Sequence, residues 1–390
     1  MSRELSSAPF RVGLVGCGDI SDTYFRNAPL FCDFTITACA SRRLESAKQK
    51  AEQYDIDARS INELITADDI DIVLNLTTPD AHSDISLASL EAGKHVYSEK
   101  PIGVSLDEGF SIDRLARDKG LRVGCAPDTF LGASIQTARG LIADGAIGQP
   151  SSGTAAFMSR GNENLHPQPD FFFQKGGGPM LDMGPYYLTA LIVLLGPIAS
   201  VQATGQRERA ERMITNPHSP RFGDVIKVDV LTSVHALISF RGGQQITFVT
   251  SWDVWRHGLP PIEIHGSEGS LRLPDPDWFG GDLFIARGDQ PFEPTSTSAT
   301  IFGRPNQNSE EGNPVADYRG LGLADMTRAI AESRPHRASI GLALHTLAVM
   351  NGILEAAEQR GTVAIAVDCD RPQPIVDHEA RSLLTSPAEM

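Results

Sequence analysis

The run Val12-Gly13-Leu14-Val15-Gly16-Cys17-Gly18-Asp19-Ile20-Ser21 constrains this chain more than any other stretch. It reads as a short apolar strand, a glycine-rich turn and the start of a helix. That succession builds a phosphate cradle, because the first N–H groups of a helix point at an anion and the turn brings backbone close to it. Gly16 permits the tight turn, and Gly18 removes the Cβ that would meet a pyrophosphate. Asp19 and Ile20 open the helix, and Ser21 fills the third small position of the fingerprint. Such a turn also ends ordinary strands, so its meaning depends on the segments C-terminal to it.

Those segments alternate strand and helix. Phe34–Ala40 is rich in β-branched residues and reads as a strand, and 42–53 reads as a helix with Leu44, Ala47 and Ala51 on one face. Ser60-Ile61-Asn62-Glu63 has capping-box spacing. Ile72-Val73-Leu74-Asn75-Leu76 is nearly continuous apolar sequence, as expected of a strand covered on both faces. A helix from about Asp80 to Gly93, a strand at His95–Tyr97, a helix from Ser105 to Gly120 and a strand at 121–123 complete the pattern. The expectation is an α/β Rossmann domain, a doubly wound parallel sheet.

At 390 residues the chain exceeds one small core. It is expected to divide into a dinucleotide-binding domain at 1–127 and an α+β domain for substrate binding and oligomerisation at 128–390. The second domain is expected to hold a large, mostly antiparallel open sheet: helices at 133–144 and up to Leu195, then strands at 228–240, 245–252, 261–265, 270–273 and 282–286. Residues 288–319 read as a long polar loop, and late helices within 321–359 are expected to pack back on the first domain. The balance of 34 basic against 49 acidic residues, formally −15, argues against nucleic acid and anionic membranes as partners. No metal site is expected, since the five cysteines lack ligand spacing and His166, His218, His257 and His265 are scattered. The first residues lack a signal-peptide core and no segment reads as long enough to span a bilayer, so the expected address is the cytoplasm.

Two further motifs carry a family resemblance: Glu99-Lys100-Pro101 after the strand at His95–Tyr97, and Gly176-Gly177-Gly178-Pro179-Met180-Leu181-Asp182-Met183-Gly184-Pro185-Tyr186 at the head of a helix. With the Gly16/Gly18 turn, Thr77-Thr78-Pro79-Asp80-Ala81-His82 and Ala343-Leu344-His345-Thr346-Leu347, the chain resembles the glucose–fructose oxidoreductase, inositol dehydrogenase and rhizopine catabolism protein (Gfo/Idh/MocA) family. The resemblance implies nicotinamide-dependent oxidation or reduction of sugars and polyols. It also implies a cis peptide before Pro101, and Thr77, Thr78, Pro79, His82 and Glu99 around the cofactor; for His82, in the first turn of the next helix, a solvated helix residue is the equal alternative.

Moving a hydride to or from a carbinol carbon requires a proton to leave or join the oxygen. Lys100, at the carboxyl end of a parallel strand, is placed to hold that oxygen and stabilise negative charge; the plain alternative is an exposed loop cation. Asp182 and Tyr186 are four apart and share a face if the helix has begun. A phenol with a pKa near ~10 is a poor base at neutral pH without a neighbouring cation. Tyr186 is therefore read as the proton donor/acceptor and Lys100 as its electrostatic partner, or the reverse. Asp182 either bonds substrate and orients this pair or caps the helix. Asp128 and Phe130 stand where many relatives have other residues; they are read as contacts to substrate hydroxyls and to a sugar face. Phe171-Phe172-Phe173 either closes the cleft or joins the core, and Tyr187 is a further cleft candidate.

Cofactor choice is read at the end of the second strand. A fold that takes NAD(H) normally offers a carboxylate there for the ribose 2′-hydroxyl. This chain offers Ser41, Arg42 and Arg43, a hydroxyl and two guanidiniums suited to a 2′-phosphate. NADP(H) is the expected cofactor, with NAD(H) as the second choice. The leading function is an NADP(H)-dependent sugar or polyol dehydrogenase or reductase. Two alternatives stay open: a cofactor-retaining glycoside-cleaving enzyme that works by transient oxidation and elimination, and a silent NADP-sensing protein. A homodimer or homotetramer through the C-terminal sheet is expected.

Overall fold

Apolar strands covered on both faces organise the N-terminal half. In the computed structural model, which describes residues 9–309 and 312–385, β1 (Phe10–Val15) buries Val12, Leu14 and Val15 completely. It pairs in parallel with β2 (Phe34–Ala40) on one side and β4 (Ile72–Asn75) on the other. β3 (Asp57–Arg59), β5 (His95–Ser98) and β6 (Val123–Cys125) complete a six-stranded sheet of order β3-β2-β1-β4-β5-β6. All its pairings are parallel. This is the doubly wound order that the alternating pattern predicts. The connecting helices are α1 (Asp19–Asn27), α2 (Leu44–Tyr54), α3 (Ile61–Thr66), α4 (His82–Glu91) and α5 (Leu106–Lys119). α3 begins with the predicted capping box, Ser60 and Glu63 each accepting the other's backbone N–H. A single 3-10 turn, Pro79–Ala81, precedes α4 and delays it to His82.

The chain divides into two compact units. The first holds residues up to Gly132, Asp317–Leu344 and those from Pro372 onward; the second holds Ala133–Ala316 and His345–Arg371. The second unit contributes β7 (Pro150–Met158), β8 (Ile198–Gln206), β9 (Glu211–Met213), β10 (Val225–Lys227), β11 (Ser233–Phe240), β12 (Gln245–Ser251), β13 (Ile262–Gly266), β14 (Gly269–Leu273), β15 (Leu283–Arg287), β16 (Glu293–Thr295), β17 (Gln307–Asn308), β18 (Pro314–Val315) and β19 (Thr362–Ala364). Among the described residues, nine of these strands form one sheet of order β16-β15-β14-β13-β7-β12-β11-β8-β19. Only β7 and β12 run parallel within it, so the sheet is mixed and mostly antiparallel.

Three differences from the sequence reading have clear causes. β7 reads as loop, because Ser151, Ser152, Gly153, Ala155 and Ala156 carry little strand propensity; it is held centrally by ladders to β12 and β13. The strand expected from Val228 begins at Ser233, because the N–H groups of Val228 and Asp229 bond Ala210 and Phe173 instead. The loop expected at 288–319 contains β16, β17 and β18, each only two or three residues long.

Helices wholly within the second unit are α6 (Ala133–Ala143), α7 (Asp170–Phe173) and α8 (Pro179–Leu195), and α8 packs on β7, β11 and β12. After them come α9 (Leu321–Ala331), α10 (Ile340–Gln359) and α11 (Asp377–Ser382); the larger, C-terminal part of α10 also belongs to the second unit. Contrary to expectation, α10 is long and apolar enough to cross a bilayer by length and composition. Its apolar window is 67% buried in the protein, and a helix hydrophobic all round is what a core position selects.

Within the first unit, α9 packs beside β6. Asp325 of α9 is fully buried and accepts from Arg337 Nη1 at 2.5 Å, from the Arg337 N–H at 2.6 Å and from Arg334 Nη2 at 3.0 Å. Arg337 also donates to Glu379 of α11 and to the carbonyls of Gln373 and Pro374. Removing one partner from such a network strands a buried charge. Asp325→Ala should therefore lower stability by about 3–5 kcal/mol in urea unfolding, whereas a change at exposed Glu332 should cost well under ~1 kcal/mol.

Candidate active site

In a doubly wound sheet, ligands bind outside the carboxyl ends of the strands where the strand order reverses. Here the reversal lies between β1 and β4. The loops after β1, β2, β4, β5 and β6 all leave the same edge. They carry Gly16–Ile20, Ser41–Arg43, Thr77–Pro79, Glu99–Pro101 and Ala126–Phe130 respectively. Parallel pairing thus brings together the predicted N-terminal set from points far apart in sequence.

The two cradle glycines have different reasons to be glycine. Gly16 has φ +112°, and a Cβ there would lie 2.4 Å from the Leu76 carbonyl oxygen. Gly18 has φ −86°, which any residue adopts, and a Cβ built on it meets none of the described atoms within 4 Å. Among the described residues no side chain caps α1, whose N-cap is Gly18. Open space before an uncapped helix N-terminus fits a pyrophosphate group. Asp19 and Ile20 form the first turn of α1, and Ser21 is buried with its hydroxyl donating to Gly18 O at 2.6 Å.

Beyond β2, Ser41 is half-buried and Arg42 and Arg43 are exposed; Arg43 is the N-cap residue of α2. Among the described residues neither guanidinium has a carboxylate within ion-pair distance. Two unpaired cations beside a helix N-terminus are unfavourable unless an anion joins them.

The loops after β4 and β5 are tied by buried polar groups. Asn75, fully buried at the end of β4, donates to His82 O and Ser86 Oγ and accepts from Thr77 Oγ1 at 2.7 Å. His82 is 1% exposed. Its Nδ1 lies 2.6 Å from Pro101 O and its Nε2 2.8 Å from Thr77 O. Burial pushes the imidazole pKa down. Read from sequence as a cofactor residue, His82 fills the space between two loops, its neutral ring donating its single N–H to one of these two carbonyls. Thr78 is exposed and Pro79 half-buried at the loop's outer side. Glu99 Oε1 accepts from Tyr24 at 3.0 Å and Oε2 from the Lys100 N–H at 2.9 Å, so its carboxylate also holds the loop. Lys100 is half-buried, and the Lys100–Pro101 peptide is cis.

Asp128 and Phe130, read as substrate contacts, are 1% and 2% exposed. Asp128 Oδ2 accepts the N–H groups of Gly320 and Gly322 at 3.0 and 2.8 Å, at the start of α9. Burial pushes its carboxyl up to about 6, partly offset by those N–H groups and by Arg319. The substrate-contact reading of Asp128 gives way to this structural one.

In the second unit, α8 starts at Pro179 with Gly178 as N-cap. Asp182 is thus a first-turn residue one helical step before Tyr186, not the cap. Tyr186 is 9% exposed and Asp182 half-buried. Tyr187 is buried between Phe157 and Phe248, its hydroxyl 3.5 Å from Asp275, which places it in the core. The phenylalanine run is divided: Phe173 is fully buried against Trp252, and Phe171 is 42% exposed. Sequence reasoning missed the bracing roles of Asn75 and Tyr24. For Asn75 the signal was present, a lone amide inside an apolar strand.

Comparison with known proteins agrees with this geometry. Residues 10–126 match the model described as an oxidoreductase family with an NAD-binding Rossmann fold, and residues 135–272 match the Gfo/Idh/MocA C-terminal domain. Over 270 residues the chain is 30% identical to dTDP-3,4-didehydro-2,6-dideoxy-alpha-D-glucose 3-reductase of Streptomyces violaceoruber, covering 67% of this chain and 72% of the relative. Trans-1,2-dihydrobenzene-1,2-diol dehydrogenase of Bos taurus is 26% identical over 280 residues, 70% and 77% of the two chains. The solved structure of levoglucosan dehydrogenase with NADH and levoglucosan superposes with a TM-score of 0.78 at 22% identity, covering 92% of this chain and all of the other.

The two glycines give a paired prediction. Gly16→Ala should destabilise the protein by about 2 kcal/mol or more, through positive φ and the Leu76 carbonyl. Gly18→Ala should leave the melting temperature unchanged within error and weaken dinucleotide binding at least tenfold in a fluorescence titration.

Proposed function

The chain belongs to the Gfo/Idh/MocA oxidoreductase family, and from that premise we propose that it is an NADP(H)-dependent dehydrogenase or reductase acting on a secondary alcohol or hemiacetal carbon of a sugar or polyol. The single observation that carries the reading is the open, uncapped cradle at Gly18, on the same sheet edge as Lys100 and the Arg42/Arg43 pair. Gly16, Gly18, Asp19 and Ile20 would hold the pyrophosphate, and Ser41, Arg42 and Arg43 the 2′-phosphate. Thr77, Thr78 and Pro79 would border the nicotinamide. When bound, the nicotinamide donates or accepts the hydride.

The residues of the chain manage the proton and its charge. Tyr186 gives its phenolic proton to, or takes one from, the substrate oxygen. The Lys100 ammonium holds the same oxygen and favours the phenolate. Asp182, one turn before Tyr186, orients substrate and the catalytic pair. His82 and Glu99 act one step back, fixing the backbone on either side of Lys100. Sugar-related substrates are supported by the dTDP-sugar reductase and levoglucosan dehydrogenase likenesses. Assembly as a homodimer or homotetramer through the nine-stranded sheet is supported by the alternating exposure along β11, where His235 and Leu237 point out and Val234, Ala236 and Ile238 point in.

Parallel titrations with NADPH and NADH test the cofactor assignment. NADPH should bind at least tenfold more tightly, and Arg42→Gln with Arg43→Gln should erase that preference while sparing NADH. A preference for NADH would sink it. In a polyol and aldose screen, Tyr186→Phe and Lys100→Met should each lower kcat by about 10²–10⁴ with cofactor affinity nearly unchanged. Sugar released without accumulating reduced cofactor would replace this reading with redox-neutral glycoside cleavage.

A further inference from the structure

The second unit contains a pocket of about 180 Å³ that the proposed hydride chemistry does not use; Arg160, Glu163, Arg209, Arg212, Trp252 and Trp255 are among its walls. At its base Arg212 is 6% exposed and acts as a hub. It donates to Glu163 Oε1 at 2.6 Å, to Asp253, and to the carbonyls of Arg160 and Trp252 at 3.0 and 2.9 Å. The two carboxylates of the pocket are therefore already held by one guanidinium.

The other two guanidiniums are not committed in this way. Arg160 and Arg209 are exposed, and among the described residues neither has a carboxylate within ion-pair distance. The Arg160 guanidinium lies 5.4 Å from the centroid of the Trp255 ring, and Trp255 is 76% exposed. Stacking of this kind holds the planar fork; Arg160 Nη2 also donates to the Asn164 side-chain oxygen at 2.9 Å, and the remaining edge N–H groups can meet a carboxylate or phosphate. In a chain of net charge −15, this pair is a local exception to the overall field.

Glu163 Oε2, Arg212 Nε and Trp252 Nε1 are buried without a hydrogen-bond partner among the described residues, and Trp252 itself is 1% exposed. An orphaned buried polar atom costs about 1–3 kcal/mol. These atoms have almost no accessible surface, so they lie behind the wall and leave recognition to the exposed groups at the rim. The exposed indole offers an apolar face of the sort that packs on a sugar ring.

We propose that this pocket binds an anionic carbohydrate, a sugar acid or a sugar phosphate. Its charged group rests on Arg160 and Arg209, and its ring against Trp255. The volume admits one ring, well below the ~300 Å³ at which drug-sized sites begin. The pocket lies within the second unit alone, so the proposal stands whether or not the hydride-transfer assignment holds.

Calorimetric titration of the full chain without nicotinamide tests it, using D-glucuronate, D-glucose 6-phosphate, D-glucose and inorganic phosphate. At least one of the two anionic sugars should bind at least tenfold more tightly than both glucose and inorganic phosphate, and which one does identifies carboxylate or phosphate as the anion. Arg160→Gln with Arg209→Gln should lower that affinity at least tenfold, with thermal melting unchanged, since both side chains are exposed. Trp255→Ala should weaken both sugars and spare inorganic phosphate. Glucose binding as tightly as its anionic derivatives would overturn the proposal. So would inorganic phosphate matching them, unchanged binding in the double variant, or no heat from any probe into the millimolar range. Lys100, Asp182 and Tyr186 are untouched, so loss of turnover and loss of this binding are read separately.

Discussion

Everything at the candidate site depends on the parallel hydrogen bonding of β1 to β2 on one side and β4 on the other. Parallel strands end at one edge, so loops more than a hundred residues apart in sequence become neighbours at that edge. The reversal of order beside β1 leaves a crevice, because the connections on its two sides run in opposite directions. Leu76 N–H to Val15 O at 2.7 Å and Gly16 N–H to Ala40 O at 2.9 Å extend the pairing past the strands. They carry the register into the glycine turn itself. The requirement for glycine at position 16 arises from that pairing, for it is the Leu76 carbonyl that leaves no room for a side chain.

Polar side chains at this edge divide into those that hold loops and those left facing outward. Asn75, Glu99 and Asp128 are each satisfied by backbone groups or a buried hydroxyl; Asn75 does so within its own loop and the next helix turn, while Glu99 and Asp128 join segments distant in sequence. Their burial makes them costly to leave unpaired and correspondingly firm as braces. Lys100 stands between two contacts: Glu99 bonds its N–H, and the carbonyl of the next residue, Pro101, meets His82. A flexible four-carbon side chain is thereby given a fixed root.

Much of this was legible in the residues, and the gaps have physical causes. Strands β1, β2 and β4 could be read because they are largely buried and announce themselves as apolar runs rich in β-branched residues, whereas β3, three exposed or half-exposed residues reading Asp-Ala-Arg, left no such signal. β7 could not, because small residues in the middle of a sheet owe their conformation to their neighbours and carry no local preference. The capping box at Ser60 was visible because it is a local interaction. The contacts of Asp128 with Gly320 and Gly322 were not, since nothing local marks a carboxylate as destined for a helix start nearly two hundred residues later. Tyr187 illustrates the same limit, as adjacency to Tyr186 says nothing about which way a neighbouring helical side chain points.

The discontinuity of the two units has a consequence for how the chain is made. Residues that complete the first unit, among them Asp325, Arg337 and Glu379, leave the ribosome only after nearly all of the second. The parallel sheet is synthesised within the first 132 residues, yet α9, beside β6, arrives some two hundred residues later. During that interval the flank of β6 must be kept from other partners, and the second unit must close around residues still awaiting Arg371. Domains of an ordinary linear chain mature from the N-terminus onward. Here maturation of both is tied to the same late stretch, so a nascent chain stalled before it would hold two unfinished units rather than one finished and one absent.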